Sequence, residues 1–305
     1  MRLDDIDPSG DIQDMGAGGG GGFSMGGGGG LGSLLIGILP LLLGRKMGCG
    51  TIAILAIAAF FIFGGGMSFL TGPTSSSSEQ AQGSGTTEKC DTEAELFACR
   101  VFTSTEQTWS QIFAQAGAQY QPAKIRFYQG GGQSGCGAAQ SAMGPFYCPA
   151  DQGIYLDTAF FDQMKQMSGG GDFAYAYVVA HEMGHHIQNI TGIADKVRDR
   201  QGRVSQADGN QLQVRMELQA DCYAGVWAAR LGNDPSGQAR MEADDVEEGM
   251  RAANSIGDDK LMKQSGRAPV ESMFTHGSSE QRMAALQQGL KTGDANQCNF
   301  FRGIF

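Results

Sequence analysis

The feature that most limits what this chain can fold into is a run of 23 residues without a charge, Gly48 to Leu70 (GCGTIAILAIAAFFIFGGGMSFL). A bilayer core takes about 20 apolar residues as a helix, so the run reads as a transmembrane span. A buried core helix would need apolar neighbours, and both flanks are low-complexity. Arg45 and Lys46 stand directly before the run, and no Lys or Arg follows it until Lys89. That bias predicts a cytoplasmic N-terminus and a chain that continues outside. A second apolar stretch, Leu31 to Leu43, has 13 residues and contains Pro40. It is short for a span and suits an interfacial segment; a hairpin of two short spans is the alternative. The run begins too deep in the chain, and is too long, for the h-region of a cleaved signal peptide.

The apolar run divides the chain into four parts. Residues 1–46 read as a disordered, Gly-rich cytoplasmic tail, 47–70 as the anchor, and 71–89 (TGPTSSSSEQAQGSGTTEK) as a flexible linker with too little apolar surface to order itself. Residues 90–305 form the folded domain, large enough for one core. Its expected fold class is α+β, mainly helical with a small β-sheet. IRFYQ, GPFYCP and GIYLD are short aromatic or β-branched runs between Gly-rich turns and read as strands. Helical patterns cover about Thr92 to Ala118, Phe173 to Ile190 and Gln211 to Leu231, and a further helix starts after Ser278 and Ser279 with Ser as N-cap.

A formal net charge of −10 and the lack of clustered Lys and Arg exclude nucleic acid as a partner. Of seven cysteines, Cys49 falls in the span and six follow it: Cys90, Cys99, Cys136, Cys148, Cys222 and Cys298. An even number in an oxidising space implies three disulfides, with 15 connectivities open. Proximity favours Cys90 with Cys99 and Cys136 with Cys148, which leaves Cys222 for Cys298.

The chemistry is carried by HEMGH, His181 to His185. On a helix, positions i and i+4 share a face, so both imidazoles reach one Zn2+ while Glu182 stands beside it as a general base. Three of the four histidines fall within six positions of this helix, against the alternative of ordinary core histidines. Gly184 would leave room beside the metal. A third ligand is needed, with the fourth position open. Gln188 and Thr191 stand where the Gly and His of the longer H-x-x-G-x-x-H form would be, which excludes that class. ELQAD, Glu217 to Asp221, offers the ligand: Glu217 binds the metal and Asp221, on the same face, accepts the free N–H of a ligand histidine. These are the only two charges between Arg215 and Arg230, in a run that otherwise looks buried, with small residues at Ala220, Ala224, Gly225 and Ala228. Glu242, Asp244, Asp245, Glu247 and Glu248 read as a solvated acidic face. His186 projects about 100° away around the helix and reads as structural. His276, in THGSSEQR, is a candidate for oxyanion stabilisation or proton donation, with a plain loop histidine as its rival reading.

HEMGHH, ELQAD and THGSSEQR, behind an N-terminal span with a Gly-rich tail, resemble the bacterial neutral zinc metallopeptidase family over nearly the whole chain. The metal motifs are shared more widely with gluzincins, including membrane-embedded heat-shock and prenyl-protein peptidases. The resemblance implies His181, His185 and Glu217 as ligands, Glu182 as the catalytic carboxylate and Asp221 as orienter. It also implies a zincin-like core whose edge strand, GPFYCP or GIYLD, binds an extended peptide above the zinc. The prenyl-protein peptidases surround their site with several membrane helices, and this chain offers one. The expectation is a zinc endopeptidase on the outer face of the bacterial inner membrane, acting on extended polypeptides. Two rivals stand beside it: a hydrolase of cell-wall peptides or amides, and a metal-stabilised binding or assembly factor.

Overall fold

The computed structural model describes residues 1–17, 90–231 and 239–305. Residues 1–17 belong to the same compact unit as the domain that begins near Cys90. The architecture is mixed α/β and mainly helical, with one small sheet. The first helix, α1 (Glu93–Gln115), opens on a capping box: the Thr92 hydroxyl accepts from the Glu95 N–H, and the Glu95 carboxylate accepts from the Thr92 N–H. Two orphan donors at the helix start are satisfied reciprocally.

The sheet is centred on β2 (Lys124–Gln129) and β6 (Gly153–Asp157), which run parallel with Ile125 opposite Ile154 and Phe127 opposite Leu156. All four side chains are buried, so the pair forms the floor of the core. A hairpin of β3 (Gly131–Ser134) and β4 (Gly137–Gln140) extends from the end of β2. β5 (Phe146–Cys148) pairs antiparallel with β6 and is an end strand of the sheet order. GIYLD is therefore not an edge: it is β6, paired on one side with β2 and on the other with β5. Its five residues are all buried, the continuous apolar pattern of an interior strand.

The helical side of the unit is built by α2 (Phe160–Ser168), α3 (Asp172–Ile190), α4 (Ile193–Gln201), α5 (Gln206–Leu231), α6 (Asp245–Ser255), α7 (Asp258–Gln264) and α8 (Ser279–Thr292). Glycines set how closely these helices approach. A β-carbon on Gly184 of α3 would lie 2.8 Å from the Ala220 Cα of α5. The space beside Gly184 is thus taken by α5, not by a metal. Gly225 of α5 and Gly289 of α8 face each other's helices, and a β-carbon on Gly289 would strike the Cys222 carbonyl. Three disulfides, Cys90–Cys99, Cys136–Cys148 and Cys222–Cys298, staple the unit. The last ties the C-terminal segment to α5.

The N-terminal residues depart from the expected disordered tail. β1 (Asp11–Ala17) pairs parallel with β2, Ile12 opposite Ile125, and Met1, Leu3, Ile6 and Ile12 are buried in the main core. The Met1 ammonium lies 2.7 Å from Asp172 and 2.8 Å from Asp245. Asp245 is 1% exposed, so the acidic run around it is not simply a solvated face. Local composition hides this, because the strand's partner lies more than a hundred residues away and the glycine run begins directly after β1. The pairing also bears on the expected topology. One membrane crossing between residues 17 and 90 would put β1 and β2 on opposite sides, whereas they share backbone hydrogen bonds. This sheet lends no support to a single-pass arrangement with a cytoplasmic N-terminus and an external domain. Among the described residues no helix is long and apolar enough to cross a membrane. The expected anchor at 47–70, the linker at 71–89 and the interfacial stretch at 31–43 lie outside the described residues.

Candidate metal centre

The centre lies where α3 meets α5. α3 is apolar on nearly every side because AYAYVVA packs it into the core, and this buries His181 and Glu182, each 6% exposed. The rings of His181 and His185 stand one turn apart, 4.7 Å between centroids and nearly perpendicular. Glu217 of α5 faces both: its carboxylate is 3.2 Å from His181 Nε2 and 3.6 Å from His185 Nε2. The ligand-type atoms of the three residues all lie within 4.8 Å of one another. Two imidazole nitrogens and one carboxylate on three protein groups are a donor set suited to zinc, and three such groups leave a fourth position open.

The outward nitrogens of both rings are tied off. His181 Nδ1 lies 2.7 Å from Asp221 Oδ1, and His185 Nδ1 lies 2.9 Å from Gln188 Oε1. Carboxylate and amide oxygens only accept, so each Nδ1 carries a ring proton, which leaves Nε2, the nitrogen that faces Glu217, as the atom that would hold a metal. Gln188 is fixed in turn, donating to the Met216 carbonyl at 2.7 Å and to Gln219 Oε1 at 3.1 Å. Gln219 donates to the carbonyl of Cys298, which links the disulfide-clipped tail to the back of His185. Gln213, one turn before Glu217, donates to Glu217 Oε1 at 3.0 Å.

The charges of these residues favour a cation at their centre. Burial penalises a charged His181, yet Asp221 and then Glu217 outweigh it and raise the ring to about 10. Burial likewise opposes charge on His185, and Glu217 overcomes it in the same direction. Glu217 is held well below the usual carboxylate range although burial pushes it up, because His185 and His181 act against burial. Asp221 falls to about 2 against its burial, first through the Arg282 charge and then through His181. Metal binding at such a pocket would have to displace the proton that its groups share.

His276 sits in the loop before α8, with its side chain half exposed. Asp258, at the start of α7, accepts from the backbone N–H groups of Thr275, His276 and Gly277 and lies 3.3 Å from His276 Nδ1. The hydrogen bond to Asp258 raises the His276 ring against its burial, and the charge of Glu217 adds to this. His186 points the other way and is fully buried: Nε2 donates to the Gln121 carbonyl at 2.7 Å, and Nδ1 takes the Tyr147 hydroxyl at 3.1 Å. Both of its nitrogens are used in tying β5 and the segment before β2 to α3.

Sequence reasoning did not single out Gln188 as a partner of His185, nor Gln213, Asp258, Tyr177 or Arg282. Helical spacing carried a signal for Gln188 and Gln213, at i+3 from His185 and i−4 from Glu217. Asp258 and Arg282 reach the centre only through tertiary folding. A second acidic group, Asp172, Asp245 and Glu248, clusters elsewhere, and there the Met1 ammonium supplies the positive charge.

An H-E-x-x-H helix set against an E-x-x-x-D helix, with three groups that could hold one metal ion between them, is the arrangement of a helix-borne candidate metal centre. The chain belongs to the putative neutral zinc metallopeptidase family, whose model matches residues 1–301. It is 49% identical to the uncharacterized protein YpfJ of Escherichia coli K12 over 210 residues, covering 68% of this chain and 72% of that protein. It is 39% identical to the uncharacterized protein Rv2575 of Mycobacterium tuberculosis H37Rv over 215 residues, 67% of this chain and 70% of the relative. No solved structure matches it significantly.

Proposed function

We propose that this chain is a zinc-dependent endopeptidase that hydrolyses peptide bonds in extended polypeptides. The observation that carries the reading is the convergence of His181 Nε2, His185 Nε2 and the Glu217 carboxylate, with each outward Nδ1 occupied by an acceptor. A zinc ion bound there would act as a Lewis acid and make water a nucleophile near neutral pH. His181 and His185 would hold it through Nε2, and Glu217 would provide the anionic third ligand. Glu182 takes a proton from the attacking water and returns it to the leaving amine nitrogen. His276, with Nδ1 turned to Asp258, offers Nε2 as donor to the oxygen on which negative charge develops.

Strand addition gives the substrate a place. β5 is an end strand of the sheet, and Tyr147 on it contacts His186 in the metal-binding helix. An extended peptide that adds to β5 would run beside α3, with main-chain hydrogen bonds supplying affinity for chains of many sequences. The three disulfides favour an oxidising compartment outside the cytoplasm. Residues 1–17 then lie in that compartment as well, on the same side of any membrane that the apolar runs enter.

The test is Glu182→Gln in the full chain. Zinc content should match the unmodified protein while cleavage of an unstructured protein substrate falls by about a hundredfold or more, the scale of a lost general base. Turnover equal to that of the parent would refute the mechanism, and cleavage of purified peptidoglycan in place of the protein substrate would move the assignment to cell-wall hydrolysis.

A further inference from the structure

The residue that the proposed chemistry does not use, yet which lies closest behind it, is Arg282 of α8. It is 3% exposed, in a region where an arginine charge is costly unless fully paired. Its Nε donates to Asp221 Oδ2 at 2.9 Å and its Nη2 to Asp221 Oδ1 at 2.8 Å, a two-point grip on the carboxylate. Nη2 also donates to the Tyr177 hydroxyl at 3.1 Å, and that hydroxyl donates to Asp221 Oδ1 at 2.5 Å. Oδ1 is the same oxygen that faces His181 Nδ1. Three donors from α3 and α8 thus converge on one oxygen of an α5 residue.

The grip does something that a plain buried ion pair would not. A carboxylate held at one oxygen can rotate about its Cβ–Cγ bond, and each rotation carries the acceptor away from the imidazole. A planar guanidinium that binds both oxygens fixes the plane of the carboxylate, and lysine, a point charge, cannot. With the plane of Asp221 fixed, the direction of the His181 Nδ1–H bond is fixed, and so is the line along which Nε2 points at Glu217. The sequence supports α8 as a rigid carrier: Ser278 and Gln281 form a capping box at its start, and Gly289 lets it lie against α5 without a gap.

We propose that Arg282 is a positioning residue of the metal centre: through its two-point hold on Asp221 it orients His181, and it makes zinc binding depend on the docking of α8. The inference rests on the metal centre proposed above. It adds that the helix carrying the His276 loop is coupled to the metal by one side chain, so a displaced α8 loosens the ligand set as well as moving His276. Tyr177 is the lesser partner, holding Arg282 and Asp221 together from the α3 side.

The experiment is zinc affinity, measured on the full chain by competition with a chromophoric chelator, with thermal melting of the metal-free protein alongside. Arg282→Lys keeps the charge and loses the planar fork. It should weaken zinc binding by about 10 to 100-fold, the range found when the outer partner of a ligand histidine is lost. In an Asp221→Asn background the same substitution should have little further effect, because the residue through which it acts has already been altered. Tyr177→Phe removes one hydroxyl without changing shape, and should weaken binding about fivefold, the equivalent of one buried hydrogen bond. This milder variant carries the test if Arg282→Lys fails to fold. Cobalt in place of zinc gives a second readout: at saturating metal, the visible d–d bands of Arg282→Lys should shift as the His181 ring turns. Lower melting with unchanged affinity and unchanged cobalt spectra would make Arg282 a structural brace and overturn the proposal. Failure of the parent protein to bind zinc at all would instead overturn the metal centre itself, so the two results are distinguishable.

Discussion

Removal of the three disulfides one pair at a time should rank them by loop length, with a second effect confined to one of them. Cys222 and Cys298 are 76 residues apart in sequence, against 12 for Cys136–Cys148 and 9 for Cys90–Cys99. In the chain-entropy description, closing those loops constrains the unfolded chain by about 4.5, about 2.8 and about 2.6 kcal/mol respectively at room temperature. The Cys222→Ala/Cys298→Ala variant should therefore lose roughly 1.8 kcal/mol more stability than either short-loop variant, or about 4–7 °C in melting temperature for a unit of this size. The long loop also closes over the back of the ligand set: Cys298 O accepts from Gln219, and Gln219 accepts from Gln188, which orients His185. Loss of this bridge should weaken zinc binding, whereas loss of the Cys90–Cys99 bridge, at the start of α1, should leave it unchanged. The assay is urea unfolding of the three double-alanine variants without reductant, read by circular dichroism, with zinc affinity measured by chelator competition. Equal losses of stability would refute the loop argument. An unchanged zinc affinity in the Cys222→Ala/Cys298→Ala variant would refute the link to His185.

Gln188→Leu should keep the fold and weaken zinc binding by about tenfold, since it removes the acceptor that holds the His185 Nδ1 proton; an affinity equal to the parent's, read by the same competition assay, would show that the amide has no part in the site. Single cysteines at Asp5 and at Glu271, both exposed, introduced with Cys49→Ser, should react with a membrane-impermeant maleimide from the same side of the membrane in intact cells. Reaction from opposite sides would contradict the pairing of β1 with β2.

The two helices of the candidate metal centre were legible because their information is local. His181 and His185 repeat at one helical turn, AYAYVVA announces burial, and Glu217 and Asp221 are isolated charges in an apolar run. The capping boxes at Thr92 and Ser278 act within four residues, and helix starts there follow from sequence. What could not be read depends on separations of tens to hundreds of residues. Arg282 looks like any surface arginine of an amphipathic helix until α8 docks and buries it against Asp221. Asp258 gains its meaning from the backbone of residues 275–277. GIYLD has the pattern of a strand, but only the positions of β2 and β5 show that it is interior.

The N-terminal segment is the case in which two physical signals disagree, and magnitudes choose between them. Arg45 and Lys46 favour a cytoplasmic start, and a basic residue beside an anionic leaflet is worth about 1 kcal/mol, so the pair contributes about 2. Against this, Met1, Leu3, Ile6 and Ile12 are each no more than 6% exposed. A fully buried side chain of this kind is worth about 1.5–3 kcal/mol, which gives roughly 6–12 kcal/mol for the four before the β1–β2 backbone hydrogen bonds are counted. Even after allowance for a compact unfolded chain, the packing exceeds the charge bias. The segment therefore goes where the rest of the sheet goes.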